Sequence, residues 1–263
     1  MRTQRNQPIP KWQLITLNVV SLIGFFVLWQ VAATLHFAPA QFLPSPIAVL
    51  EKLIELTRNP FAGYTLQQDI LSSLGRFALG FILAALIGVP LGLAMGWFPW
   101  VDDMVSTPFN AVRFVAPIAW VPFAALWFGV GIGGPVLIIF TGAFPACLIN
   151  SYRGAKYVPT QFIEAARMLG VSNFRVITDV LLPGSIPSII AGLRVSAGLG
   201  WMSLVGAELI VASSGVGYLL VKGQSNIDTA IVMSGMISIG IVGLIIDVLL
   251  RLVERRVRVK RGQ

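Results

Sequence analysis

Long apolar runs alternate along the chain with short polar breaks, and the length of the runs decides the first question. A bilayer core of about 30 Å is crossed by roughly 20 apolar helical residues. Six stretches reach that length, at about 13–35, 77–98, 107–128, 134–152, 186–212 and 229–250. Each predicts a transmembrane helix, so the predicted fold class is all-α integral membrane. The first run follows Arg2, Arg5 and Lys11 as a signal peptide would, but it is too long and no small-x-small site closes it; it reads as a retained helix. After it, Pro39, Pro44 and Pro46 predict an extended start to the segment 36–73. Residues 48–56, AVLEKLIEL, then read as an amphipathic helix lying along the outer membrane surface.

Two spans carry more than hydrophobicity. The second repeats a small residue every four positions, at Gly80, Ala84, Gly88, Gly92 and Gly96. Such a stripe lets another backbone approach closely, which is how helices associate in lipid, so this is a packing helix, within one protomer or across a dimer. The third span contains Pro108, Pro117 and Pro122. Each interior proline removes a backbone bond and kinks the helix. Freed carbonyls at membrane depth are tolerated only against protein or a water-filled cavity. A kink of purely structural use and a kink that lines a path are both open. The VGIGG turn at 130–134 returns the chain, and Pro145 marks the fourth span.

Composition agrees with the spans. Of 263 residues 56% are hydrophobic and 11% charged, against about 25% charged in a soluble domain, and the mean hydropathy is +0.82. One cysteine, Cys147, and one histidine, His36, leave no disulfide framework and no clustered metal ligands. The net charge of +8 is distributed by topology and calls for no nucleic-acid partner. With both termini inside, the inner segments hold Arg2, Arg5, Lys11, Arg153, Lys156, Arg167, Arg175, Arg251, Arg255, Arg256, Arg258, Lys260 and Arg261, and the outer ones Lys52, Arg58 and Lys222. Thirteen against three fixes that orientation by the positive-inside rule. The loop 99–106, with Asp102 and Asp103 and no basic residue, adds nothing, because acidic residues count little.

The longest inner loop, 153–185, has an organisation of its own. Thr160 after Pro159 is an N-cap for a helix over 161–169, and Gly170 ends it as a C′ residue. Ser172 caps a second helix with Phe174, Ile177 and Leu181 on one face, broken by Pro183 before the fifth span. Two short amphipathic helices without a core of their own either pack on the neighbouring helix ends or need a partner.

The spacing inside this loop is informative. Glu164-Ala165-Ala166, Gly170, Val180 and Leu182-Pro183 resemble the EAA-x3-G-x9-I-x-LP signature of bacterial ABC-importer permeases, with Val180 in place of the usual Ile. LPSPIAVLEKL at 43–53, the run 74–96, PIAWVPFAALWFGVG at 117–131 and GLRVSAGLGWMSLVGAEL at 192–209 are similar to the nitrate/sulfonate/taurine branch of that family. The resemblance implies a type I ABC-importer permease fold, a five-helix core plus one N-terminal helix in a single domain over 13–250, flanked by tails 1–12 and 251–263. It implies that Glu164, Ala165, Ala166, Arg167, Leu169, Gly170 and Val171 form a coupling helix that docks in a cleft of a cytoplasmic ATPase. Gly170 would permit the turn, Ala165 and Ala166 keep the face flat, and Glu164 pair with a base or cap locally. The implied partners are two ATPase subunits, which bind the ATP and Mg, a second permease copy and an extracytoplasmic solute-binding protein, in a bacterial inner membrane. Branch resemblance points to a small anion such as nitrate, a sulfonate or taurine as solute.

The residues exclude most chemistry in the chain itself. No G-x-x-x-x-G-K-[ST] phosphate loop and no H-E-x-x-H motif occurs, so no cofactor is expected here. An ion-gradient-driven secondary transporter would also use broken helices and buried charges, but it has no need of the 160–183 segment. Within the spans, Arg113, Arg194 and Asp247 lie at similar depth. They pair to lock helices, line a path for an anion, or snorkel to the interface. Glu208, near the outer end of span five, would repel an anion and is structural or gating. Trp12, Trp97, Trp100 and Trp127 fall at span ends as interfacial anchors, and Trp29 is lipid-facing or packed. Trp120 and Trp201, mid-span, form a constriction or pack in the core.

Overall fold

The computed structural model describes residues 11–35, 39 and 41–259. Arg2, Arg5, His36, Lys260 and Arg261 lie outside the described residues, as do the side chains of Lys11 and Arg258.

The described residues are mostly helical. In order come α1 (Lys11–Thr34), α2 (Pro46–Arg58), α3 (Leu66–Trp97), α4 (Pro99–Val112), a 3-10 turn at Pro117–Trp120, α5 (Val121–Phe128), α6 (Gly133–Lys156), α7 (Thr160–Met168), α8 (Asn173–Val176), a π turn at Ile177–Leu181, α9 (Leu182–Val211), α10 (Val216–Ser225) and α11 (Thr229–Val259). Five of these are long and apolar enough to cross a membrane, and a sixth crossing is made by α4 with α5 if that bent pair is one span.

α6 is the centre of the bundle, held between α3 and α9. The small-residue stripe of α3 faces it: a Cβ on Gly80 would lie 2.7 Å from the Ile139 side chain and one on Gly88 2.9 Å from Cys147. The close approach expected of α3 is therefore made within the protomer. Phe77, Ile139, Ala197, Trp201 and Leu204 form the largest core cluster, joined by Val242 of α11. A second cluster, Leu56, Leu66, Leu219 and Ile231, closes the end where α2 and α10 lie. α2 starts as its sequence requires, with Pro46 in the first turn and the Ser45 hydroxyl accepting from the Ala48 N–H at 3.2 Å. α1 stands apart: none of its membrane window is buried, and Trp29 donates to the Pro44 carbonyl at 3.1 Å.

Three expectations are corrected. The helix that holds the second span begins at Leu66, well before 77, and its added turns bury Asp69, Ser73 and Arg76 inside the bundle. The third span is not one helix over 107–128: α4 already starts at Pro99, and the two halves meet at 85°. Proline sets the break, since the residue before it is driven to extended backbone and Ala116, before Pro117, has ψ 139°. Finally, Pro183 does not end a helix. It lies inside a helix that runs continuously over Asn173–Val211, directly after the π turn at Ile177–Leu181, and that irregular turn is where the helix accommodates the missing N–H.

Candidate transport path and coupling site

The end of the bundle that carries Arg153, Lys156 and Arg251 also carries the 153–185 loop. α7 starts at Thr160 with Pro159 as its N-cap, one residue earlier than expected and with no side-chain cap bond. Its far end is built as the sequence predicts. Gly170 has φ +73°, the Gly170 N–H donates to the Arg167 carbonyl at 3.0 Å, and the Val171 N–H donates to Ala166 at 3.1 Å. This 5→2 and 6→1 pair is the Schellman arrangement, which satisfies the last carbonyls and turns the chain sharply. One face of α7 is anchored: Ile163 packs with Ala155, Val158, Leu181, Val180 and Trp97, and the Arg167 guanidinium lies 6.0 Å from the Trp97 ring centroid. The other face is bare. Met168 is 88% and Leu169 82% exposed, with Phe162 and Phe174 beside them. Phe174 therefore does not share a packed face with Ile177 and Leu181; it points out while Leu181 is buried. Glu164 and Ala165 are exposed, Ala166 and Pro183 half-buried, and Leu182 largely exposed.

At the break between α4 and α5 the chain leaves regular helix for a few residues, and two cavities meet there. One, of about 510 Å³, lies between α4 and α6. Its neighbour, of about 420 Å³, opens toward Met202 and Ser203 of α9. Arg113, Val115, Thr141 and Pro145 line both. Arg113 has no acidic partner among the described residues; its guanidinium sits 4.7 Å from the Phe114 ring and 5.9 Å from Phe109. Such stacking leaves the donors at the rim of the group available. Trp120 lines the larger cavity and meets Phe123 edge-on at 5.8 Å.

The remaining candidates are placed elsewhere. Arg194 pairs with Asp247 of α11 at 2.7 Å and Glu254 at 3.3 Å, and Arg251 holds the second Asp247 oxygen at 2.7 Å. The helix-locking pair expected among Arg113, Arg194 and Asp247 is thus Arg194 with Asp247, and Arg113 is not part of it. Trp201 is buried between α3, α9 and α11, with its indole N–H on the Ile239 carbonyl at 3.1 Å. It is a core residue, because its ring fills the space against Phe77 at 5.5 Å and Gly243. Glu208 is closed off at the opposite end from the 153–185 loop. Its carboxylate accepts from Arg76 at 2.8 Å, Ser73 at 2.8 Å and the Gly217 N–H at 2.9 Å, while Arg76 also donates to the Ser214 carbonyl and hydroxyl at 2.6 Å. Asp69 takes the Gly215 N–H at 2.8 Å.

Sequence reading had no signal for this network, since Arg76 meets Glu208 across 132 residues. It had none either for Asp102, which accepts from Tyr152 at 2.6 Å. Exposed Met168 was within reach, as an apolar residue adjoining the loop glycine in a segment with no core of its own.

Residues 88–259 match the family of binding-protein-dependent transport system inner membrane components. The chain is 35% identical over 257 residues to the taurine transport system permease protein of Escherichia coli K12, covering 96% of this chain and 94% of that one. It is 39% identical over 233 residues to a putative ABC transporter permease of Methanocaldococcus jannaschii, covering 87% and 85%. The nitrate import permease protein of Synechocystis is 31% identical, with coverage of 87% and 84%. Among solved structures, an inward-facing MetNI methionine ABC transporter aligns with a TM-score of 0.63 at 19% identity, over 73% of this chain and 95% of that chain, a likeness of fold. The chain is a multi-pass inner-membrane protein of the binding-protein-dependent transport system family, the permease subunits of ABC importers.

Proposed function

We propose that two copies of this chain form the path of an importer for a small anion, driven by ATPase subunits docked on α7 and fed from outside by a solute-binding protein. The carrying observation is the split character of the 153–185 loop. One face of α7 is fixed to the bundle through Ile163 and Arg167, while Phe162, Met168 and Leu169 are presented bare at a rigid glycine turn. A surface of that kind is anchored to transmit force and has nothing in its own chain to cover it. Glu164 to Val171 are the contact. Val180, Leu182 and Pro183 carry the helix from it into α9 without interruption. The start of α1 and the end of α11 face the same side, the cytoplasm. ATP and Mg are bound and turned over by the partner, and this chain supplies path and coupling.

The anion reading rests on Arg113. It stands unpaired where the third span breaks, against both cavities, whereas Arg194 and Arg76 are neutralised. Arg113 and Trp120 are the path residues; Arg194, Trp201 and Glu208 hold the bundle. Curated relatives named for taurine, nitrate and bicarbonate support a small charged solute.

The docking reading is tested by purifying the detergent-solubilised chain from its host through a tag, with mass spectrometry of what accompanies it. An ATPase subunit recovered with the wild-type chain and lost with Gly170→Trp is the expected result. A wild-type chain that purifies alone would overturn the reading.

A further inference from the structure

α4 is fastened to the bundle at its foot, and above the foot it stands over a void. Next to the turn at Phe98, Asp102 is gripped from α6. Tyr152 donates to its Oδ2 at 2.6 Å, Lys156 donates to the Tyr152 hydroxyl and lies 3.7 Å from the same Asp102 oxygen, and Ser106 donates to Oδ1 at 2.5 Å. Val101, Met95 and Leu148 make a small core around the grip. Higher up, Phe109 meets Phe144 edge-on at 6.2 Å. The cavity of about 510 Å³ runs along this side of α4 from Met104 to Arg113, with Phe109 and Phe144 in its wall.

The grip joins two elements that matter at their other ends. Tyr152 and Lys156 occupy the closing turns of α6, which runs through residues 157–159 straight into α7. Asp102 lies eleven residues before Arg113, about 16 Å along the helix axis. Apolar contacts are non-directional and let helices slide. A hydrogen bond to a carboxylate is short and directional, so it resists separation of the two helix feet, and the void above leaves α4 room to tilt.

We propose that Asp102, Tyr152 and Lys156 form a latch that carries movement of the docking loop into α4 and so to the break at Arg113. They are positioning residues, and their role rests on the reading of α7 as the ATPase contact. Displacing α7 moves the end of α6, the latch moves the foot of α4, and the two cavities that share Arg113 change shape.

The test uses the complex purified through a tag on this chain, with Val115→Cys in a Cys147→Ala background. Val115 lines both cavities, and the probe is the rate at which the introduced thiol is modified by a charged methanethiosulfonate, forming a mixed disulfide and releasing the sulfinate. Trapping nucleotide with vanadate should change that rate about fivefold or more with the latch intact, the lower range of allosteric coupling. In Tyr152→Phe or Asp102→Asn the change should disappear while nucleotide is still trapped, and the double variant should be no worse than either single. Should Asp102→Asn fail to insert, Tyr152→Phe and Lys156→Gln read the same link from the α6 side. An unchanged response in all latch variants overturns the proposal, as does a break that ignores trapping with the latch intact. If no ATPase accompanies the otherwise wild-type chain, the docking reading itself has failed and the latch falls with it.

Discussion

Three arginines lie at membrane depth in this chain, and their neighbours assign them different work. Arg76 is 6% exposed and bound to Glu208 and Ser214. Arg194 ties α9 to α11. Arg113 stacks on Phe109 and Phe114 and has no acidic partner among the described residues. Removing one partner of a buried pair leaves an uncompensated charge and costs about 3–5 kcal/mol, whereas an arginine stacked at a cavity rim is held by little. Arg76→Gln should therefore lower the thermal unfolding temperature in detergent sharply and reduce membrane abundance. Arg113→Gln should leave the unfolding temperature near wild type and cut uptake by proteoliposomes, measured with nitrate and with the sulfonate-bearing zwitterion taurine, by about tenfold, a loss of about 1.4 kcal/mol in the path. Arg113→Lys should keep part of it. A marked loss of stability in Arg113→Gln would move that residue into the structural class.

At the scale of the helix, the glycine stripe of α3 makes a prediction with its own control. On Gly92 a Cβ would stand 2.5 Å from the Leu148 carbonyl of α6, while on Gly75 it would meet nothing within 4 Å. Gly92→Ala must push two packed backbones apart and should cost about 1–3 kcal/mol. Gly75→Ala should be neutral or slightly stabilising, through the ordinary helix preference for alanine. Thermal unfolding of the two variants in one detergent distinguishes a packing stripe from glycines merely tolerated in lipid. The stripe, the places of the apolar runs and the Gly170 turn were legible because each is written within one helix or one turn. What escaped depends on contacts between distant segments. Residues 66–76 looked extramembranous because Asp69 and Arg76 are charged, and only the meeting with Glu208 and the α9–α10 turn shows how those charges enter the span. The break at 113–116 was legible as prolines, but its angle and the cavities beneath it are set by how α4 and α5 rest on α6. Arg113 and Arg194 looked equivalent in sequence, and only the register of α11 separates them.

For the whole molecule, exposed apolar surface says little about partners, since lipid tails satisfy Leu126, Trp127 or Phe114 as well as protein would. Polar groups at membrane depth are the better guide. Arg113 and the irregular backbone of residues 113–116 need protein or water around them, and in the proposed dimer a second copy against the cavities would supply it. The proposed assembly requires one orientation, because α7 would have to meet its ATPase where ATP is found. Charge sets the orientation. Arg76 is spent on Glu208 inside the span and does not count toward a loop, so the balance of thirteen basic residues to three still favours the α7 end inside. A fluorescent protein fused after residue 263 should therefore fluoresce, and alkaline phosphatase inserted in the turn at 60–63, between α2 and α3, should be active. With the reporters reversed, α7 would face away from nucleotide, and the docking surface, the latch and the anion path would lose their common basis together.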